Sequence, residues 1–279
     1  MQLWFILSCY WCPGCVIMLN QAKKTPISTE WLPGYVEMKR ALELYGYLFS
    51  ISSRPQFVNS ESGGRGPPKN IRSWIKFIDA CVCMRSGQHI FSLSDAEELV
   101  EIIICLCLDC QLQGLLMLLY QCMQSVISYF TDEEWGNSCE NIAKSLASRV
   151  PADYNCLQTV ECISVSGARF NHLRSTLSYN ILLICFDNKV TNEEGILSTL
   201  IAINLKDKKW DLLKMYIYLV LTQNWLLHNP ILEERPMIYE MWGVYLQNCS
   251  CHITSTDLRP YASKVRTKAS YLLYGTTKK

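Results

Sequence analysis

The sequence has almost no imbalance of charge. Its 279 residues include 26 lysines and arginines against 25 aspartates and glutamates, a formal net charge of +1. Attraction of nucleic acid or acidic lipid over a whole surface needs an excess of positive charge, so an electrostatic partner can be inferred only from local patches. With 49% apolar and 18% charged residues, the composition is that of a globular protein. This length suits one large domain or two small ones.

The sequence also lacks the motifs of catalysis. Its four histidines are scattered, and none accompanies a nucleophile. The stretch SGGRGPP lacks the Gly-Lys-Ser/Thr ending of a phosphate-binding loop, and SVSGARF does not have the G-x-S-x-G pattern of a hydrolase. Acidic neighbours such as Glu193 and Glu194 fall in predicted first helical turns, where the helix dipole accounts for them. We therefore expect a protein that is not an enzyme and uses no cofactor.

Cysteine, by contrast, is abundant, with 15 residues. Several lie within apolar runs such as IIICLCLDC and LLICFD, where a thiol packs as a small apolar group. We expect most of them to be reduced core residues of a nuclear or cytosolic protein. Cys105, Cys107, Cys122 and Cys185 in particular are predicted to resist alkylation in the native protein.

The segment SCYWCPGC has a regular cysteine spacing. Cys9, Cys12 and Cys15 would supply three of the four ligands that tetrahedral zinc needs, with no neighbouring fourth. The fourth cysteine and proline of a ferredoxin run are missing as well. These three residues are weak metal candidates, and the favoured interpretation is that they bind no metal. A metal completed by a distant ligand stays open as an alternative.

The N-terminal segment raises the question of a membrane. The first 19 residues are apolar and uncharged, about the length that spans a bilayer. Pro13 and Gly14 interrupt them, and no basic region of a signal peptide precedes them. We expect an apolar, Cys-rich segment over residues 1–24 that is buried or spurious, with a membrane anchor over residues 3–19 as the alternative.

The remaining chain is predicted to be helical. Apolar residues recur at helical spacing, and no segment sustains the alternation of a strand. Three capping boxes mark predicted helix starts: Ser94 with Glu97, Thr131 with Glu134, and Thr191 with Glu194. Predicted helices cover about residues 71–84, 94–109, 111–130, 132–149, 153–165, 170–187, 192–204, 208–227, 231–248 and 257–273. The expected fold is all-α, an irregular α-solenoid or multi-helix bundle of stacked helical hairpins.

The expected organisation has three parts after residue 24. Residues 25–70 hold a helix and a loop rich in Ser, Gly and Pro, residues 71–275 form the main helical domain, and residues 276–279 are a basic tail. In the first of these helices, Val36, Leu42, Tyr45 and Phe49 are predicted to share one face.

The predicted C-terminal helix, in TDLRPYASKVRTKASYLLYG, carries a set of cations. They lie away from its apolar stripe, and they are Arg259, Lys264, Arg266 and Lys268. One interpretation is an ordinary solvated basic face. The other is contact with an acidic partner surface or with DNA phosphate.

Three long stretches resemble a known family. They are LQGLLMLLYQCMQSVISYFTDEEW, SLASRVPADYNCLQTVECISVSGARFNHLRSTLSYNILL and LLKMYIYLVLTQNWLLHNP. Their sequences are similar to that of the C-terminal domain of the Smc-five/six complex localisation factor two family. This domain is also described as a coiled-coil Smc-six and Nse-five interacting domain. The resemblance covers roughly residues 90–275. Residues 1–24 match nothing in that family, and the long disordered N-terminal region of its larger members is missing here.

The resemblance implies an all-helical, non-catalytic adaptor in the nucleus. Family members pair with a partner localisation factor that bears ankyrin and BRCT repeats, and together they bring the Smc-five/six complex to damaged or stalled DNA. It implies protein partners and no small-molecule substrate, with direct DNA contact left open. The competing hypothesis is a membrane-anchored helical protein that uses residues 3–19 as its anchor.

Overall fold

The described part of the chain is all-α. The computed structural model describes residues 34–44, 69–83, 91–150, 155–163, 166–186, 192–202 and 212–226, with isolated positions at 236, 238–240, 243–244 and 267. This part is 89% helical and contains no strand. The predicted all-α, multi-helix fold is therefore confirmed, while the predicted segments 1–24 and 276–279 lie outside the described residues.

Nine α-helices and one short 3₁₀-helix are described. In chain order they are α1 (Tyr35–Leu44), α2 (Lys69–Cys83), α3 (Leu93–Leu108), the 3₁₀-helix η1 (Cys110–Leu115), α4 (Leu116–Ile127), α5 (Asp132–Arg149), α6 (Asn155–Glu161), α7 (Ala168–Cys185), α8 (Glu193–Ile201) and α9 (Leu212–Leu226). The chain divides into two compact units, Met1–Ile142 and Ala143–Lys279, and the division falls within α5.

In the first unit, α4 packs on both α2 and α3. The inner face of α2 explains this, because Ile71, Trp74, Ile75 and Ile78 recur at helical spacing and are fully buried. Ser125 on α4 donates a hydrogen bond to the carboxylate of Asp79 on α2. Apolar burial thus holds the pair together, and this bond fixes a polar contact between them.

An aromatic cluster joins the ends of three helices in this unit. The Tyr129 hydroxyl donates to the carbonyl of Phe91 at 2.8 Å and accepts from the amide of Phe91 at 3.3 Å. The two rings meet edge to face, with centroids 5.9 Å apart. Phe130 and Trp135 continue the cluster at 5.5 Å. The start of α3, the end of α4 and the start of α5 are therefore fixed together by buried rings.

The predicted helix over residues 111–130 is helical from Cys110 to Ile127, but its first part is the 3₁₀-helix η1 and only the remainder, α4, is an α-helix. The break predicted between residues 109 and 111 is present, and the helix axis bends there by 104° between Leu93–Leu108 and Cys110–Ile127. Asp109 causes the break, since its side chain accepts from the amide of Gln111 at 2.8 Å and ends the preceding helix in an extended conformation. An aspartate that bonds the backbone locally competes with a continuing helix.

The predicted helix starts had mixed outcomes. The box of Thr131 with Glu134 is confirmed, with both reciprocal bonds present. The box of Ser94 with Glu97 was wrong, because Ser92 is the N-cap of α3 and pairs with Asp95. Thr191 lies outside the described residues, and its neighbour Asn192 caps α8 by accepting from the amide of Gly195.

The buried face of α1 also differs from the prediction. Val36 is 72% exposed, whereas Tyr35, Met38 and Leu42 are buried. Leu42 was placed correctly, and the two remaining predicted members, Tyr45 and Phe49, lie outside the described residues. The true stripe begins one residue earlier, at spacings of three and four.

In the second unit, α9 packs mainly on α7 and also on α6. Trp225 of α9 meets the ring of Tyr179 at 5.4 Å, and Tyr218 meets Phe186 at 5.0 Å. Most described side chains of α9 are buried, as its almost uninterrupted apolar sequence predicts. Of the predicted helix over 231–248, positions 236, 238–240 and 243–244 are described, and all of them are helical. Of the predicted helix over 257–273, only position 267 is described.

Candidate partner-binding surface

All sequence-predicted site residues lie outside the described part of the chain. These are the weak metal candidates Cys9, Cys12 and Cys15 and the cations Arg259, Lys264, Arg266 and Lys268. Their interpretations therefore stay predictions. Among the residues that the structure does describe, no group of three or more His, Cys, Asp or Glu is placed to hold a metal ion.

Most of the described cysteines are core thiols. Cys107 and Cys122 are buried as predicted, but Cys105 and Cys185 are only partly buried. Burial raises the pKa of Cys107 to about 12 and that of Cys185 to about 11. Thiols with such pKa values stay protonated at neutral pH, which suits packing and not nucleophilic attack.

The surface that stands out is an uncharged one. From Ile102 to Phe130 the sequence has a single charged residue, Asp109, and its carboxylate caps η1. We define the uncharged face as the exposed residues of this stretch: Leu108, Cys110, Gln111, Gln113, Gly114, Met117, Gln121, Gln124 and Ser128. Beside the half-buried Asp109, a helical corner and one side of a helix thus present apolar groups, amides, a hydroxyl and the Cys110 thiol to water.

The packing of α4 determines which of its residues form this face. Leu119, Cys122, Met123 and Val126 are fully buried against the first unit. The opposite side of the helix therefore carries the stripe that runs from Met117 through the two glutamines to Ser128, at spacings of four, three and four. Met117 is 72% exposed.

A neighbouring helix shows what an ordinary solvated face looks like here. The exposed side of α5 is charged, with Asp132, Glu133, Glu140, Lys144 and Arg149 among its members. Compared with the rest of a protein surface, protein–protein interfaces are depleted in lysine and acidic residues and enriched in methionine. The uncharged face fits that composition and the α5 face does not.

The chemistry of the uncharged face is that of recognition. Glutamine amides donate and accept hydrogen bonds, and Met117 supplies a flexible apolar side chain that adapts to a partner. Within this face no titratable side chain other than the Cys110 thiol is available to move a proton. The groups of this face are therefore suited to hydrogen bonds and apolar contact rather than to acid–base chemistry.

Sequence reasoning had missed this surface. The stretch from 99 to 130 is apolar almost throughout, and such a pattern is typical of an element that is covered on both sides. The sequence feature that indicates this surface is a set of glutamines in a segment almost without charge, at positions 111, 113, 121 and 124. Amides at helical spacing mark the solvent side of such a helix even when no charge does.

The comparisons with known proteins identify no relative. No protein-family model, curated protein or solved structure matches the chain. No single helix in the described ranges has the length and apolar character to cross a membrane, and α3 with η1 and α4 meets that test only as a pair bent by 104°. The competing anchor over residues 3–19 lies outside the described residues.

Proposed function

We propose that this protein is a non-catalytic nuclear adaptor, a helical scaffold that binds partner proteins and brings the Smc-five/six complex to damaged or stalled DNA. The observation that carries the binding role is the uncharged face, with Met117 exposed at its centre. The resemblance of three long stretches to the localisation factor two family supports the choice of partners and compartment.

The physical argument for binding rests on desolvation. A charged face loses strongly bound water when it is covered, and that penalty often cancels the gain from pairing. The uncharged face avoids this penalty. Burial of the Met117 side chain contributes on the order of 1.5–3 kcal/mol if it becomes complete, less the part already buried. The glutamines then supply directional bonds that fix the register of the partner.

The expected partners are proteins. From the resemblance they are subunits of the Smc-five/six complex and the partner localisation factor with ankyrin and BRCT repeats. The surface of such a partner should present an apolar pocket for Met117 and backbone or amide groups for the glutamines. It needs no complementary charge.

The test is affinity purification of the tagged chain from nuclei, with mass spectrometry of what is recovered. In a double variant, Met117→Glu and Gln121→Glu, recovery of the partners should fall about tenfold or more, because two carboxylates would be buried without a counter-ion. The matched control is Asn137→Glu with Ser148→Glu, two exposed positions on α5. It adds the same charge and should leave recovery unchanged.

Two results would overturn the proposal. If wild-type chain recovers neither Smc-five/six subunits nor the partner localisation factor, the family-based assignment fails. If the partners are recovered equally with the double variant and with its control, the uncharged face does not bind them. Equal melting temperatures of the two variants ensure that loss of folding is not being measured.

A further inference from the structure

The uncharged face has hydrogen-bonding groups that its own chain does not use. Its four glutamine side chains, at positions 111, 113, 121 and 124, are exposed, and they make no hydrogen bond within the described part of the chain. An amide group carries both donors and an acceptor, so two glutamines that meet can bond to each other reciprocally. The hydrogen-bonding chemistry of this face is therefore complementary to itself.

The stripe on α4 also avoids the usual obstacle to self-association. A two-fold axis lays a surface patch onto its own copy, so a charged residue near the axis meets a like charge. From Gly114 to Ser128 the sequence contains no charged residue, and Met117 exposes an apolar side chain that a second copy can cover. A contact of this face with itself therefore involves no such repulsion, and it buries apolar surface.

The ends of the stripe differ in charge, and this difference determines the orientation of such a contact. Asp132 and Glu133 are exposed just beyond Ser128, so two parallel α4 helices would bring these carboxylates close to their own copies. In an antiparallel pair they lie instead beside the amide-rich corner at residues 111–113 of the second copy. The carboxylate of that corner, Asp109, already accepts a backbone hydrogen bond in capping η1. The antiparallel pair is therefore the favoured one.

An axis at Gln121 places small residues opposite each other. Gly114 and Ser128 are each seven residues from Gln121, so an antiparallel pair brings Gly114 opposite Ser128 of the second copy. A Cβ at Gly114 would meet nothing of its own chain within 4 Å, so this end of the face is open to a close approach. Gln121 then meets Gln121 of the second copy, and Met117 lies beside Gln124.

We propose that the uncharged face binds the same face of a second copy of this chain, in a two-fold symmetric dimer whose α4 helices pack antiparallel with Gln121 at the axis. The inference rests on the proposed function in treating this face as a binding surface, and the dimer covers the groups that would bind a partner. The nine exposed residues of the face are fewer than the roughly 20–30 per side of a standard interface. The dimer is therefore weak, and the face is free for a partner at low concentration.

Sedimentation equilibrium of the purified full chain tests the dimer in the absence of any nuclear protein. The apparent mass of wild type should rise from one chain toward two between about 5 μM and about 500 μM, the range of a weak interface. Gln121→Glu and Gln121→Lys should each weaken dimerisation by at least about tenfold, because either substitution brings two like charges to the axis. Gln158→Glu and Gln158→Lys are the matched controls, at an exposed glutamine of α6, and should dimerise as wild type.

A mixture of the two Gln121 variants tests the symmetry of the contact. In an equimolar mixture, dimerisation should return to within about threefold of wild type, because the introduced carboxylate now meets the introduced ammonium. Mixing the two Gln158 variants should change nothing. A mixture of the Gln121 variants that stays monomeric would overturn the proposal, as would Gln121 variants that dimerise as wild type does.

Hydrogen exchange on the wild-type chain covers the case in which the Gln121 variants lose their helical circular dichroism. Amides of α4 should exchange at least about threefold more slowly at about 500 μM than at about 5 μM, while those of α7 should not change. Equal exchange of α4 at the two concentrations would overturn the proposal.

The dimer and the proposed function fail in different ways. A wild-type chain that stays monomeric over the whole concentration range and yet recovers its partners from nuclei would make a partner the occupant of the face, and would overturn the dimer alone. A dimer that forms while neither Smc-five/six subunits nor the partner localisation factor are recovered would support this proposal and contradict only the proposed function.

Discussion

Ser175 and Ser178 are both buried on α7, and they differ in what their hydroxyls meet. Ser175 donates to the carbonyl of Trp225 on α9. Ser178 is fully buried, and its hydroxyl has no partner in the described part of the chain. One hydroxyl therefore stabilises the pairing of two helices, while the other was desolvated without compensation.

This difference predicts opposite effects of the same substitution. Ser175→Ala should lower the free energy of unfolding by about 1–3 kcal/mol, because it leaves a buried carbonyl without its donor. Ser178→Ala should be neutral or stabilising, since it removes an unpartnered polar atom. Urea denaturation of the two variants measures both effects, and each serves as the control for the other. Equal losses of unfolding free energy in the two variants would contradict the different roles assigned to the two hydroxyls.

The buried thiols predict a loss of stability at high pH. Burial raises the pKa of Cys81 and of Cys107 from 9.0 to about 12, with Cys105 a smaller cause at Cys107. Above pH 9 the unfolded chain releases protons that the native protein keeps. The contribution of these thiols is therefore complete below about pH 9 and is lost as the pH rises toward about 12.

Alanine variants isolate this contribution. Cys81→Ala and Cys107→Ala should each lose less stability than wild type between about pH 8 and pH 10.5, whatever their starting stability. Cys110→Ala is the matched control, because Cys110 is exposed. Urea midpoints at the two pH values give the comparison. A pH dependence shared by all four proteins would assign the alkaline loss to other groups.

At the scale of elements, the start of α5 depends on its capping box. Thr131 accepts from the amide of Glu134, and the Glu134 carboxylate accepts from the amide of Thr131 at 2.8 Å. Thr131→Ala should therefore cost about 1 kcal/mol, and Thr131→Ser should keep most of the stability. Ser94→Ala is a sharp control, because Ser94 matches the same motif in sequence but does not cap α3. A comparable cost at Ser94 would contradict this assignment.

The two helix starts also show what a local motif can and cannot decide. Ser92 with Asp95 and Ser94 with Glu97 are both plausible boxes in the sequence, only two residues apart. The double hydrogen bond between Phe91 and Tyr129 holds residue 91 at the end of α4, and this favours the earlier start. That contact spans 38 residues, so no short window contains it.

The corner between α3 and α4 has a similar cause. Apolar periodicity correctly predicted helix on both sides of Asp109. It also placed the break between residues 109 and 111, but it did not predict the 104° angle of the bend or the 3₁₀-helix after it, because how the carboxylate of Asp109 bonds the backbone is not determined by periodicity. In the same way, the exposed stripe of α4 depends on which side packs against α2 and α3, and an almost wholly apolar sequence does not determine that side.

At the scale of the whole molecule, the sequence was sufficient for fold class and for most helix positions. Helix α5 was predicted at its observed ends, and α2, α3 and α7 within two residues. The candidate surface could not be predicted from the sequence, because the exposure of its side chains depends on packing between elements that are distant in sequence. A near-zero net charge also hides the contrast between one uncharged face and the charged face of α5.

Two surfaces now compete for the role of partner site, and added salt separates them. Binding through the uncharged face should change little between about 0.05 and 0.5 M salt, because no ion pairs are screened. Binding through the cations Arg259, Lys264, Arg266 and Lys268 should weaken steeply over the same range. The fourfold substitution of these cations to Glu should then abolish binding, with little change in melting temperature if they are solvated.

We expect weak salt dependence, full binding by the fourfold variant, and loss of binding in Met117→Glu with Gln121→Glu. Steep salt dependence together with binding by the latter variant would assign the interface to the C-terminal cations instead.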